Sequence, residues 1–155
     1  MTPEIGHFAL ILAFMLALIQ GPALFMGARG GDARFAVFAQ RASILIFGLV
    51  ALSFFSLMHA YAVSDFSVAN VFQNSHSAKP FIYKLTGTWG NHEGSMLLWA
   101  LILTLFSAVL AMQGRAAPRD LLLLTLGVQA LIITAFLAFI LFTSNPFLRL
   151  IPTPA

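Results

Sequence analysis

Three side chains able to do chemistry stand within residues 89–93: the indole of Trp89, the imidazole of His92 and the carboxylate of Glu93, in the stretch TWGNHEGSMLLWALILTLF. An imidazole changes charge near neutral pH and ligates metals. A carboxylate accepts a proton, and an indole offers a broad apolar face with one donor. They stand against the start of a long apolar run, and ionisable groups at the edge of a membrane span are costly unless partnered, which makes them candidates for function. Each also has a plain structural account. Glu93 in the first turn of a helix is stabilised by the macrodipole by about 0.3–1 kcal/mol, and His92 serves equally as a loop imidazole with a wet edge. Trp89, His92 and Glu93 are therefore candidate pocket residues, and no catalytic residue is assigned. HEGSM opens like a zinc-protease helix, but that motif needs a second histidine four positions on, where Met96 stands. No metal site is assigned.

A helix must position these groups. Thr88 or Asn91 can cap its exposed amides, and a start at either places Trp89, His92 or Glu93, Met96 and Trp99 on one face by three-and-four spacing. Gly90 and Gly94, four apart, would let another helix approach closely along a neighbouring stripe.

The chain as a whole is built for lipid. Of its 155 residues 60% are hydrophobic and only 8% charged, against about 25% charged in soluble domains. The apolar residues fall in four blocks at 5–26, 44–63, 95–112 and 121–143, each able to cross a hydrocarbon core of about 30 Å as a helix. The fold class is an all-α integral membrane protein with four transmembrane helices and one long outer loop at 64–93. The first block carries Glu4 and no basic residue ahead of it, so it is a retained helix and not a signal peptide. A single soluble domain is excluded. The absence of cysteine removes disulfides, thiolate metal sites and a cysteine nucleophile. The eight Lys and Arg are scattered singly, which speaks for topology and against a nucleic-acid partner.

Orientation follows from the basic residues. The connections GARGGDARFAVFAQR and GRAAPRD hold Arg29, Arg34, Arg41, Arg115 and Arg119 and are expected to be cytoplasmic. Both termini and the 64–93 loop then lie outside, with Lys79, Lys84 and Arg149. All four histidines, His7, His59, His76 and His92, fall at or near that outer face. The loop mixes Phe66, Phe72, Phe81, Tyr83 and Trp89 with amides and hydroxyls, a chemistry suited to the headgroup layer. Its 66–72 segment reads equally as a short helix or a strand. Within the spans, Gln20, Gly21 and Pro22 are expected to kink the first helix and serve packing, as does Gln129 in the fourth.

TWGNHEGSMLLW resembles a segment of the CcmF-type cytochrome c haem lyases that reads Trp, Gly, any residue, HEGS and a leucine run to a second Trp. PEIGHFAL, ARGGDAR, DFSV and FILFTSNPFLRL agree in order and spacing, so the resemblance covers essentially the whole chain as the amino-terminal portion of the family. It implies a multi-pass protein of the bacterial inner membrane, part of a larger helical bundle that attaches haem covalently to apocytochrome c. Haem would arrive from a haem chaperone on the outer side, and its vinyl groups would form thioethers with the thiols of a CxxCH segment. The resemblance implies other maturation subunits as partners, lipid around the spans, and a second, b-type haem reduced from quinol. The chain stops before the family's tryptophan-rich outer segment and its later histidines, so no haem ligand is carried over, and this segment alone is expected to be inactive. It is expected to be a fragment or one product of a split gene, its Pro-rich end projecting free outside the membrane. Two rival readings stand beside this one: a transport or proton-conducting subunit lined by the broken first helix and Glu93, and a purely structural anchor that tolerates substitution in WGNHEGS.

Overall fold

The computed structural model describes residues 1–30, 34–114 and 117–150. The middle of the ARGGDAR connection, Arg115 and the Pro-rich end at 151–155 lie outside the described residues. Six helices follow in order: α1 (Thr2–Gly30), α2 (Arg34–Ala62), α3 (Ala69–Asn74), α4 (Phe81–Gly87), α5 (His92–Gln113) and α6 (Arg119–Phe142). α1, α2, α5 and α6 are long and apolar enough to cross a membrane. α1 and α2, at 29 residues each, run beyond the 5–26 and 44–63 blocks and are about 43 Å long at 1.5 Å per residue. Their ends therefore project past a hydrocarbon core of about 30 Å, and the flanks of the basic connection are helical.

Local chemistry sets several boundaries. Glu4 and Asp120 occupy the first turns of α1 and α6, where the macrodipole favours a negative charge. Pro118 precedes α6, and Asn91 caps α5. α2 ends in a Schellman turn: the Asp65 amide donates to the Ala60 carbonyl at 2.9 Å and the Ser64 amide to Tyr61 at 3.2 Å. Ser64 takes the left-handed conformation this turn requires, at φ 56°.

The four long helices form a ring in which α1 packs on α2 and α6, while α5 closes it against α2 and α6. Leu10, Ile46, Leu57, Leu97, Ile133 and Leu137 fill the centre. The faces that meet are rich in small residues: Ala13, Ala17 and Gly21 on α1, and Ala100, Thr104 and Ala108 on α5, are buried. Lipid tails are as apolar as leucine, so close backbone approach and dispersion hold such helices together. A Cβ on Gly21 would meet Leu131 of α6 at 2.9 Å, which shows how near the two helices come. α1 runs through Pro22 without interruption, and Gln20 beside it is fully buried, donating from Nε2 to Ser43 Oγ of α2 at 2.8 Å. The Gln20–Gly21–Pro22 step thus serves packing. Gln129 keeps a buried Oε1 with no partner among the described residues.

The alternation of the spans gathers the start of α1, the end of α2, the start of α5 and the end of α6 at one end of the bundle, with residues 63–91 between them. The segment that leads to the Pro-rich end is tied down as far as Leu150. Val68 and Arg149 form an antiparallel bridge, with the Ala69 amide on the Leu148 carbonyl at 2.8 Å and the Leu150 amide on Ser67 at 3.0 Å. Arg149 pairs with Glu4 at the start of α1, its Nε donating to Oε1 at 3.0 Å, lies 3.5 Å from Asp65, and donates to the Ser67 hydroxyl. The chain is tied down through Leu150 because backbone pairing and the guanidinium join it to two other elements. The 66–72 segment, open between strand and helix, takes both forms, a bridge at Val68 followed by α3.

Candidate functional site

The turn that carries WGNHEGS is braced from inside by four side chains on three elements. Asn91, the N-cap of α5, accepts from the Gly94 amide at 2.8 Å through Oδ1. Its Nδ2 donates to the Gly87 carbonyl at 2.8 Å and to the Tyr61 hydroxyl at 3.0 Å. Tyr61, fully buried in the last turn of α2, donates to Asn70 Oδ1 at 2.6 Å. Asn70 on α3 closes the circuit, its Nδ2 reaching Asn91 Oδ1 at 2.9 Å and Glu93 Oε2 at 3.0 Å. Buried polar groups of this kind rigidify a structure when they are mutually satisfied. Here the beneficiary is Glu93, a half-buried carboxylate whose direction is set by an amide from a separate helix.

Two glycines make the turn possible. A Cβ on Gly94 would lie 1.6 Å from the Thr88 carbonyl oxygen, and one on Gly87 would lie 2.9 Å from the Tyr61 ring. The expectation that Gly90 and Gly94 open a stripe for another helix is therefore corrected. Gly94 admits the backbone of its own preceding turn, and Gly90 precedes the helix.

The three candidates are placed on different sides of the turn. Trp89 precedes the Asn91 cap, so it does not share the helical face expected of it; it stacks on Phe54 of α2 with ring centroids 6.5 Å apart and planes at 20°. His92 is exposed and meets the edge of Phe139 on α6 at 6.3 Å. Met96, one turn on, lies in the cleft beside the same phenylalanine. Glu93 turns inward to Asn70. The structure brings Glu93 together with Tyr61, Asn70 and Asn91, while Trp89 and His92 flank this group against α2 and α6. Tyr61 and Asn70 were missed from sequence; a tyrosine ending an apolar block and an amide soon after it are the signal that was available.

The residues in hand do not by themselves fit a haem. The cleft beside His92, lined by Met96, Ala135, Phe136 and Phe139, holds about 230 Å³, below the roughly 300 Å³ at which small-molecule sites begin. A recess of about 670 Å³ lies over α3, but four of its eight lining residues are serines, joined by Asp65 and His76. That hydroxyl-rich wall suits an apolar macrocycle poorly. Among the described residues no three His, Asp or Glu side chains gather as a metal site.

Four apolar helices with a hydrogen-bonded polar cap at one end define a multi-pass helical membrane protein. No family model matches the sequence. The chain is 56% identical over 154 residues to the cytochrome c-type biogenesis protein CycK of Rhizobium meliloti, covering 99% of this chain and 23% of that protein. It is 45% identical to the cytochrome c-type biogenesis protein CcmF of Pseudomonas aeruginosa, over 98% of this chain and 23% of the relative. A solved cytochrome c haem lyase CcmF superposes with a TM-score of 0.88 at 26% identity, over 95% of this chain and 25% of that one. The chain belongs to the CcmF family of cytochrome c-type biogenesis proteins, as its amino-terminal part. It spans about a quarter of the length of the relatives it matches.

Proposed function

We propose that this chain is the amino-terminal membrane part of a haem lyase that matures cytochrome c, working in the bacterial inner membrane beside the remaining length of the protein. The observation that carries this reading is the whole-chain likeness to cytochrome c-type biogenesis proteins. In this reading the four spans are a scaffold, and the braced turn at 88–94 supports an outer haem or quinol pocket whose ligands lie elsewhere. In it Glu93 faces the pocket, with Asn70 and Asn91 fixing its height and direction, while His92 supports the pocket from the α6 side and Trp89 props the turn against Phe54 of α2. The loop end faces the periplasm with both ends of the chain, a sidedness supported by the five arginines of the two opposite connections. Apocytochrome c, a haem chaperone and the other maturation subunits are its partners.

The test uses the complete protein with its partners. Trp89→Ala, His92→Ala and Glu93→Ala, made singly, should each lower the yield of holocytochrome c while the protein accumulates normally. Normal yield from all three removes the pocket role and leaves an anchor. The segment alone should bind no stoichiometric haem, and a Soret band of bis-histidine character from the purified chain would overturn the assignment of the ligands to other parts.

A further inference from the structure

We propose that α4 is a lipid-contacting helix that sits in the headgroup layer, with Phe81, Ile82 and Tyr83 in the membrane interface, and that it sets the depth of the 88–94 turn. No residue of α4 is buried within the chain. Phe81, Ile82 and Tyr83 are 61%, 71% and 64% exposed, three large apolar side chains in succession. A helix of seven residues has too few internal hydrogen bonds to persist in water by itself, so something must cover this face.

Three observations identify lipid as the cover. The first is depth. Gly87, which ends α4, lies under the ring of Tyr61 in the last turn of α2, and Thr88 lies on Gly94 in the first turn of α5. α4 is thus level with the terminal turns of two spanning helices, where hydrocarbon gives way to headgroups. The second is continuity. The chain leaves α4 onto Phe54 through the stacked Trp89, itself 40% exposed, beside Phe55 at 59% exposed on the outer surface of α2. The apolar face of α4 therefore continues the belt that the spanning helices present to lipid. The third is chemistry. Lys79 precedes α4 and Lys84 lies within it, their ammonium groups held at the polar side by the Asn74 carbonyl at 2.9 Å and Ser64 Oγ at 2.8 Å. Aromatic rings on one side and lysines on the other are the pattern of an element seated between acyl chains and water.

The chain contains no cysteine, which makes single labels clean. In the full-length protein, freed of any other cysteine, Ile82→Cys, Lys79→Cys and Phe55→Cys each receive a bimane label and are reconstituted in vesicles of phosphatidylcholine and phosphatidylglycerol with brominated acyl chains. The label at 82 should be quenched several-fold by the brominated lipid, as at 55 in the lipid belt, and little by aqueous iodide; the label at 79, on the polar side, should respond more to iodide. Quenching at 82 by iodide alone places α4 in water and overturns the proposal. Protection from both quenchers, with 55 still quenched by lipid, shows that the rest of the protein covers α4 and overturns it equally.

Discussion

The middle of the bundle and its loop end are held together by opposite chemistries. In the middle, Ala13, Ala17 and Gly21 of α1 and Ala100, Thr104 and Ala108 of α5 let backbones approach, and a side-chain hydrogen bond between spans joins Gln20 to Ser43. At the loop end, Tyr61, Asn70, Asn91 and Glu93 meet through directional bonds of 2.6–3.0 Å. Packing of small residues fixes how far apart helices lie but leaves little to orient a single functional group. A polar circuit does the reverse: it aims one carboxylate. The geometry able to serve chemistry is therefore concentrated in the end with the least hydrophobic material.

The contrast is most open to attack at Gly94. Gly94→Ala places a methyl 1.6 Å from the Thr88 carbonyl oxygen, a backbone atom that cannot rotate away. The cost should exceed ordinary overpacking and reach on the order of 3 kcal/mol or more. Folded protein in the membrane fraction should fall sharply and its thermal midpoint drop. Gly48→Ala, where a Cβ meets nothing within 4 Å, should leave both unchanged or slightly raised, since alanine is favoured in a helix interior by about 0.5–1 kcal/mol.

Next in size is Tyr61→Phe. It deletes the hydroxyl that donates to Asn70 and accepts from Asn91, leaving buried amide groups short of a partner at a cost of about 1–3 kcal/mol. Hydrogen exchange should accelerate in α3 and the 88–94 turn while α1 and α6 keep their protection. Faster exchange throughout the spans would mean that the two regions are one cooperative unit and that the contrast is false.

How much of this was legible beforehand differs between the regions for a physical reason. Four spans were readable because composition alone decides whether a helix is soluble in lipid. Asn91 was readable as one of two caps because a cap acts on neighbours in sequence, and Trp89, His92 and Glu93 as candidates because reactive residue types stand at the edge of an apolar span. Tyr61 and Asn70 reach Asn91 from 30 and 21 positions away, and no local pattern announces such a meeting. Gly94 was misread for a related reason. A four-residue glycine spacing is the same whether the approaching backbone belongs to another helix or, as here, to Thr88. α3 and α4, at six and seven residues, are too short for periodicity to separate helix from strand.

Effects of that size or smaller test the packed middle and its margin. Gly6→Ala would set a Cβ 2.7 Å from the Phe147 ring and 2.8 Å from Ser56 Cβ. The ring can swing, but Ser56 Cβ moves only with the α2 backbone, so α1 and α2 must part slightly and the loss should be about 1–3 kcal/mol, seen as a fall in thermal midpoint and a looser 144–150 segment by limited proteolysis.

The smallest effect expected is also the most discriminating. Gln20→Leu removes a bond of 2.8 Å to Ser43 Oγ and a weaker one of 3.4 Å to the Ala39 carbonyl. It also removes Gln20 Oε1, a buried carbonyl oxygen with no partner among the described residues. Ser43 is not stranded by the change, because a helical serine can turn its hydroxyl to the carbonyl four residues back, that of Ala39. Interhelical hydrogen bonds inside membranes average only about 0.6 kcal/mol, and leucine fills a similar volume. The thermal midpoint of Gln20→Leu should therefore stay close to that of the parent. A drop matching Tyr61→Phe would show that one amide holds α1 to α2 as firmly as the whole circuit holds the loop, and that polar contacts rather than small-residue packing set the stability of the spans.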